Sequence, residues 1–215
     1  SDNGSQSGAV RQPAGISSEF GALLIRPAGT VYSKNRNKIY VVDQVLKTIV
    51  EVDATSGQKS ILTVAGLEDF SVFTYPKDIA LSEDENKLFI ADSGANYIYV
   101  YDLDSATLNS VAGASAQQIE AKFGSGLHDP DRLAILPGQN KLLYYSKYSG
   151  VFIIDLDSAE VTRVVNQNLL GRFTGAKIWV SKEDGKLYLF DSAGTSSVVA
   201  SLNLDTGVLT EEPFF

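Results

Sequence analysis

The chain has 215 residues, no cysteine, one histidine, and a formal net charge of −8 from 18 basic against 26 acidic side chains. The absence of thiols excludes disulfides, thiolate metal sites and cysteine nucleophiles, and the single histidine, His128, excludes a multi-histidine zinc or copper centre. The acidic balance argues against nucleic acid as the partner, since phosphate binding depends on clustered Lys and Arg, and apolar runs of no more than strand length argue against membrane insertion.

In chain order, residues 1–9 form a polar stretch that reads as a disordered tail, and the lack of an initiating methionine fits a trimmed precursor. Asn3-Gly4-Ser5 matches a glycosylation sequon but is read as coincidence in a polar tail. Residues 10–215 read as a single domain. The segment 10–15, VRQPAG, resembles the later runs ILTVAG and LNSVAG, and so reads as an outer strand that closes a ring before any inner strand has appeared. The C-terminal GVLTEEPFF is a competing outer strand, and the choice between the two stays open at this stage.

The stretch 76–113, PKDIALSEDENKLFIADSGANYIYVYDLDSATLNSVAG, recurs in the segments 27–66, 130–165 and 175–210. Aligning Lys38, Lys87, Lys141 and Lys186 gives steps of 49, 54 and 45 residues; aligning Asp53, Asp102, Asp155 and Asn203 gives 49, 53 and 48. Two independent anchors thus report one period, in the range of propellers and solenoids. Within each copy IYVVD, LFIAD, LLYYS and LYLFD are short, β-branched or aromatic, and bounded by turn residues, while three further runs complete four strands per unit. The prediction is an all-β fold: a β-propeller of four-stranded antiparallel blades, four in number, with part of a five- or six-bladed ring as the alternative.

The order Pro-x-x-Ile-Ala, Lys-Leu-Phe-Ile-Ala-Asp-Ser-Gly-Ala-Asn, Ile-Tyr-Val-Tyr-Asp and closing Val-Ala-Gly in the second copy resembles NHL repeats, over about residues 27–210. That resemblance implies a propeller, six-bladed in most of the family, and relates the chain more loosely to lactonase and lyase propellers. It implies little about function, because one propeller scaffold hosts unrelated activities.

Catalytic chemistry is sparse. No G-x-S-x-G elbow or glycine-rich phosphate loop occurs, and His128 beside Asp129 reads as solvated surface within the long 114–129 insertion. Asp43, Asp92 and Asp191 end the second strand of copies one, two and four, with Ser146 in copy three; they could ring a channel mouth and bind calcium, but Asx-type turns explain them as well. Asp53, Asp102 and Asp155 mark the third-to-fourth strand hairpin and are assigned to structure.

The functional expectation is a non-enzymatic binding module without a cofactor, engaging a protein, peptide or glycan. The alternative is a hydrolase or lyase using a channel-bound calcium ion. Departures from the repeat mark the binding face: Phe73, Tyr75 and Lys77 in copy two, and Asp131, Arg132, Lys147 and Tyr148 in copy three, of types enriched in binding hot spots. Trp179 reads as core beside the channel. Compartment and oligomeric state stay open, with an extracellular monomer as the working expectation.

Overall fold

A computed structural model describes residues 24–67, 71–111, 129–166, 177–191 and 198–212. The tail 1–9, the closing strand 10–15, and the 114–129 insertion with His128, apart from Asp129 itself, lie outside the described residues.

Each copy of the repeat forms one antiparallel four-stranded sheet whose strands are neighbours in chain order. Blade 1 contains β1 (Pro27–Ser33), β2 (Lys38–Asp43), β3 (Thr48–Asp53) and β4 (Lys59–Ile61); blade 2 contains β5 (Pro76–Leu81), β6 (Lys87–Asp92), β7 (Tyr97–Asp102) and β8 (Thr107–Ser110). Blade 3 contains β9 (Arg132–Leu136), β10 (Lys141–Ser146), β11 (Gly150–Asp155) and β12 (Val161–Asn166); blade 4 contains β13 (Lys177–Val180), β14 (Leu187–Asp191), β15 (Val198–Leu202) and β16 (Leu209–Glu212). The first strands lie side by side in series, β1 on β5, β5 on β9 and β9 on β13. This is the four-bladed, all-β propeller arrangement that the repeat implies.

The outer hairpins show why one residue type recurs. The carboxylate of Asp53 accepts the amides of Thr55 and Ser56 at 3.0 and 2.8 Å, and Asp102, Asp155 and Asn203 repeat the pattern in the other blades. The Ser56 amide and hydroxyl, with Lys38, push the Asp53 carboxyl down to about 2. The side-chain oxygen is therefore a turn-former, supplied by Asp in three copies and by Asn203 in the fourth.

The second strands are near-continuously apolar because both sheet faces are covered. Tyr40, Val42 and Ile49 of blade 1 pack on Ile79, Leu88, Ile90 and Tyr101 of blade 2. Ala80, Phe89, Ala91 and Ile98 on the opposite face of blade 2 pack on Leu133, Leu142, Tyr144 and Phe152 of blade 3. Leu143, Tyr145 and Val151 then meet Val180, Leu187, Leu189 and Ala200 of blade 4. Each fully buried side chain of this size contributes about 1.5–3 kcal/mol.

Two residues depart from expectation. Phe73 belongs to the core between blades 1 and 2, 4% exposed and 5.7 Å from the Tyr99 ring, so it is not part of a binding face. Trp179 is 56% exposed rather than core, because its register opposite Tyr188 puts it on the face of blade 4 turned away from blade 3.

Candidate functional site

The site begins with the residue that ends each second strand. Asp43 is fully buried, and its carboxylate accepts four backbone amides: Ile25 and Arg26 from the loop entering the blade, and Val45 and Leu46 from the following turn, at 2.8–2.9 Å. Asp92 likewise accepts Thr74 and Tyr75 at 2.7 Å from the entering loop, and Gly94 and Ala95 from the turn. The aspartate is thus a clasp between two loops on one propeller face, more than the simple Asx turn anticipated from the sequence. Its lone pairs are used in holding backbone. Asp191 ends β14. Among the described residues no group of three or more His, Cys, Asp or Glu side chains is arranged to hold a metal.

Blade 3 carries Ser146 in this position, a neutral hydroxyl in place of a carboxylate. Its Oγ accepts the turn amides of Tyr148 and Ser149 at 3.3 and 3.2 Å. The entering loop is held elsewhere, since the Asp129 amide donates to Asn96 Oδ1 of blade 2 at 2.9 Å. Asp129 itself sits at φ +53°. This leaves its carboxylate turned to the two lysines that flank the seam, Lys77 Nζ at 2.6 Å and Lys147 Nζ at 3.6 Å. Asp131 adds a second contact to Lys77 at 3.1 Å and one to Arg132 Nη1 at 3.3 Å, and the same Nη1 donates to the Asp131 carbonyl at 2.6 Å. Arg132 Nε is buried with no hydrogen-bond partner among the described residues.

The structure therefore brings Lys77, Asp131, Arg132 and Lys147 of the expected set together, with Tyr148 beside them under the Lys147 ammonium at 4.7 Å. Tyr75 lies apart, at the preceding seam, with the Arg26 guanidinium 5.9 Å above its ring. Lys77 and Arg132 are not presented to solvent as the sequence suggested. Their side chains are each 17% exposed, because the ion pairs draw them into the seam, and only Lys147 and the 56%-exposed Tyr148 point a contact surface outward.

Lys77, Arg132 and Lys147 thus face Asp129 and Asp131, and the buried Asp78, which accepts the Leu133 amide, also acts on Arg132. Burial opposes ionisation of Asp129, but the hydrogen bond and charge of Lys77 and the charge of Lys147 outweigh it and hold the carboxyl below its ordinary value. Lys147 is held above the ordinary lysine value, first by its contact with the Tyr148 hydroxyl and then, against a desolvation cost, by Asp129. Asp129 and Asn96 are the members that sequence reasoning missed. The available signal was Ser146, which stands where copies one, two and four carry an aspartate.

The opposite end of the same seam holds a cavity of about 380 Å³ lined by Lys87, Phe89, Val100, Asn140 and Leu156 among others. Its rim carboxylates are engaged locally: Glu83 accepts the Gly138 amide, and Asp157 accepts Asn140 Nδ2.

No family model and no curated protein matches the chain. Solved structures match it in fold. A chain in the crystal structure of a nidogen/laminin complex superposes with a TM-score of 0.67 at 16% identity, over 86% of this chain and 64% of that one. A protein of unknown function from Bacteroides thetaiotaomicron superposes at 0.65 with 13% identity, over 87% of this chain and 43% of that one. Kuenenia stuttgartiensis hydrazine synthase superposes at 0.63 with 15% identity, over 97% and 52%. This chain therefore spans less than two thirds of each of these structures, and the likeness is one of fold alone.

Proposed function

We propose that the chain is a non-enzymatic interaction module of the NHL-like propeller type, and that the seam between blades 2 and 3 engages a segment of a partner protein. The observation that carries this reading is the replacement of the clasp acid by Ser146, which exchanges a structural carboxylate for a cluster of Lys77, Asp129, Asp131, Arg132 and Lys147. Blades 1 and 2 hold their entering loops without such a cluster. An exposed tyrosine beside an ammonium supplies contact area and directional charge, the pairing that dominates binding hot spots. The complementary segment offers a carboxylate to Lys147 and an apolar group to Tyr148. The resemblance to a chain in a nidogen/laminin complex is compatible with an interaction role.

The test is selection of binders from a displayed random-peptide library, followed by affinity measurement on Tyr148→Ala and Lys147→Glu. Tyr148 is 56% exposed and the Lys147 side chain 29%, so the melt of each variant is recorded beside its affinity, and only a loss of binding by a folded variant counts. Loss of at least about tenfold, or 1.4 kcal/mol, in each variant is expected. Peptides held equally by the wild type and the double variant would contradict the proposal, as would recovery only of oligosaccharide binders from a parallel glycan array.

A further inference from the structure

The seams on the two sides of blade 2 end differently at the face that carries the turns between first and second strands. At the seam of blades 1 and 2 this end is filled by Arg36, two residues before the aligned Lys38. Its Nη2 donates to Asn86 Oδ1 at 3.1 Å and to Asp104 Oδ1 at 2.6 Å, and its Nε to the Glu85 carbonyl at 3.3 Å. Tyr40 and Glu51 lie close enough to act on its charge. The same repeat position in blade 2, two residues before Lys87, is Glu85. Its carboxylate turns back to blade 1, where it accepts the Ser33 hydroxyl at 2.7 Å and the Asn35 amide at 2.8 Å. Blade 2 therefore sends no arginine into blade 3, and the cavity of about 380 Å³ opens at that point.

The acceptors that hold Arg36 recur on the blade 3 side of this cavity. Asn140 and Asp157 stand at the repeat positions of Asn86 and Asp104, and both line it. Their hairpins are built alike: the Leu156 amide donates to the Asn140 carbonyl at 3.1 Å, as the Leu103 amide does to that of Asn86 at 2.9 Å. The carboxylate is not a requirement of the hairpin. Where blade 3 has Asn140 Nδ2 donating to Asp157 Oδ1 at 2.7 Å, blade 1 makes the same bond from Asn37 Nδ2 to the Thr55 hydroxyl at 2.8 Å. The charge on Asp157 is therefore surplus to the fold, and its lone pairs exceed the one bond from Asn140. The walls have changed as well, since Phe89 and Val100 replace Tyr40 and Glu51 and make the interior apolar together with Ile135 and Leu156. Around them the carboxylates of Glu83, Asp84 and Asp157 outnumber the single ammonium of Lys87.

We infer that this cavity binds the arginine side chain of a peptide, in the way that the preceding seam holds Arg36. The planar guanidinium donates to the Asn140 amide oxygen and the Asp157 carboxylate, while its aliphatic stem lies along Phe89, Val100 and Ile135. A lysine ammonium is a strongly hydrated point charge without the fixed fork that spans two acceptors, and binds less well. The site lies at the other end of the seam from Lys147 and Tyr148, so it stands or falls separately from the function proposed above.

The test is titration of the purified chain with Nα-acetyl-L-arginine methylamide, followed through amide chemical shifts by heteronuclear NMR. The citrulline analogue, equal in shape and uncharged, is titrated beside it. Saturable shifts around Phe89, Val100, Asn140 and Asp157 are expected, with Kd on the order of 0.1–1 mM for a ligand of this size. The citrulline analogue should bind at least about tenfold more weakly, and Asp157→Asn should weaken the arginine probe by about the same factor. Asp104→Asn should leave the affinity at this seam unchanged. Arg36→Ala should add a second set of shifts, around Asn86 and Asp104, as the probe takes the place of the missing side chain. Absence of saturable shifts, shifts only at other positions, equal affinity for citrulline, or indifference to Asp157→Asn would each overturn the inference. If Arg36→Ala fails to fold, the contrast between Asp157→Asn and Asp104→Asn carries the test.

Discussion

The seam between blades 2 and 3 and the open face of blade 4 are built on the same strand positions, yet a side chain at one is buried and its counterpart at the other is exposed. Phe89 and Ala91, on the second strand of blade 2 and facing the seam, are 2% and 0% exposed, whereas their counterparts on blade 4, Tyr188 and Phe190, are partly exposed and 41% exposed. The difference lies in what stands against the strand and not in the residue, since blade 3 packs on the second strand of blade 2 and no described blade packs on that of blade 4 beyond blade 3. Repeat sequences therefore state what a blade can bury; the ring around it decides what is buried.

The largest expected effect sharpens that comparison directly. Phe89→Ala should cost about 3–5 kcal/mol in urea unfolding, while Phe190→Ala should cost less than about 1 kcal/mol. Equal losses would mean that blade 4 is covered in solution by something within the chain. Next in size is the clasp. Asp92→Ala leaves the amides of Thr74, Tyr75, Gly94 and Ala95 without their acceptor and should cost about 3 kcal/mol, measured in the same way. Ser146→Ala removes a neutral hydroxyl acceptor of two long turn contacts and should cost less than Asp92→Ala, about 1–2 kcal/mol.

Much of this was legible in the sequence. The four blades, the turn acids Asp53, Asp102 and Asp155, and the meeting of Lys77, Asp131, Arg132 and Lys147 on one face follow from period and register, which are local properties of the chain. What could not be read there depends on contacts between blades. Phe73 and Tyr75 sit two residues apart in the loop entering blade 2, yet one is core and the other lies under Arg26. Lys77 and Arg132 looked like exposed departures from the repeat, and are drawn inward by Asp129, whose part depends on Asn96 reaching across from blade 2 to hold its amide. Trp179 reads from the sequence as core beside the channel, although its pairing with Tyr188 puts it on the face of blade 4 turned away from blade 3, 56% exposed.

A smaller effect follows from pH. Asp129 ionises below the ordinary carboxylate value near 4, so its pairs with Lys77 and Lys147 contribute fully above about pH 4 and are lost as pH falls through the lower folded value. Asp129→Asn should flatten that limb of the stability curve, and an unchanged acid limb would show the pairs to be idle. The smallest expected effect is that of calcium. With Asp43 and Asp92 saturated by backbone amides, millimolar calcium should leave the melting temperature unchanged, whereas a stabilisation that saturates would restore a channel-bound cation to the account.

The central claim, that recognition takes place at the blade 2–3 seam, is tested most directly by hydrogen exchange of the chain bound to a selected peptide. Slowed exchange confined to residues 129–132 and 146–149, absent in Lys147→Glu, is the predicted result; protection centred on blade 4, or spread evenly over the blades with none at the seam, would contradict it.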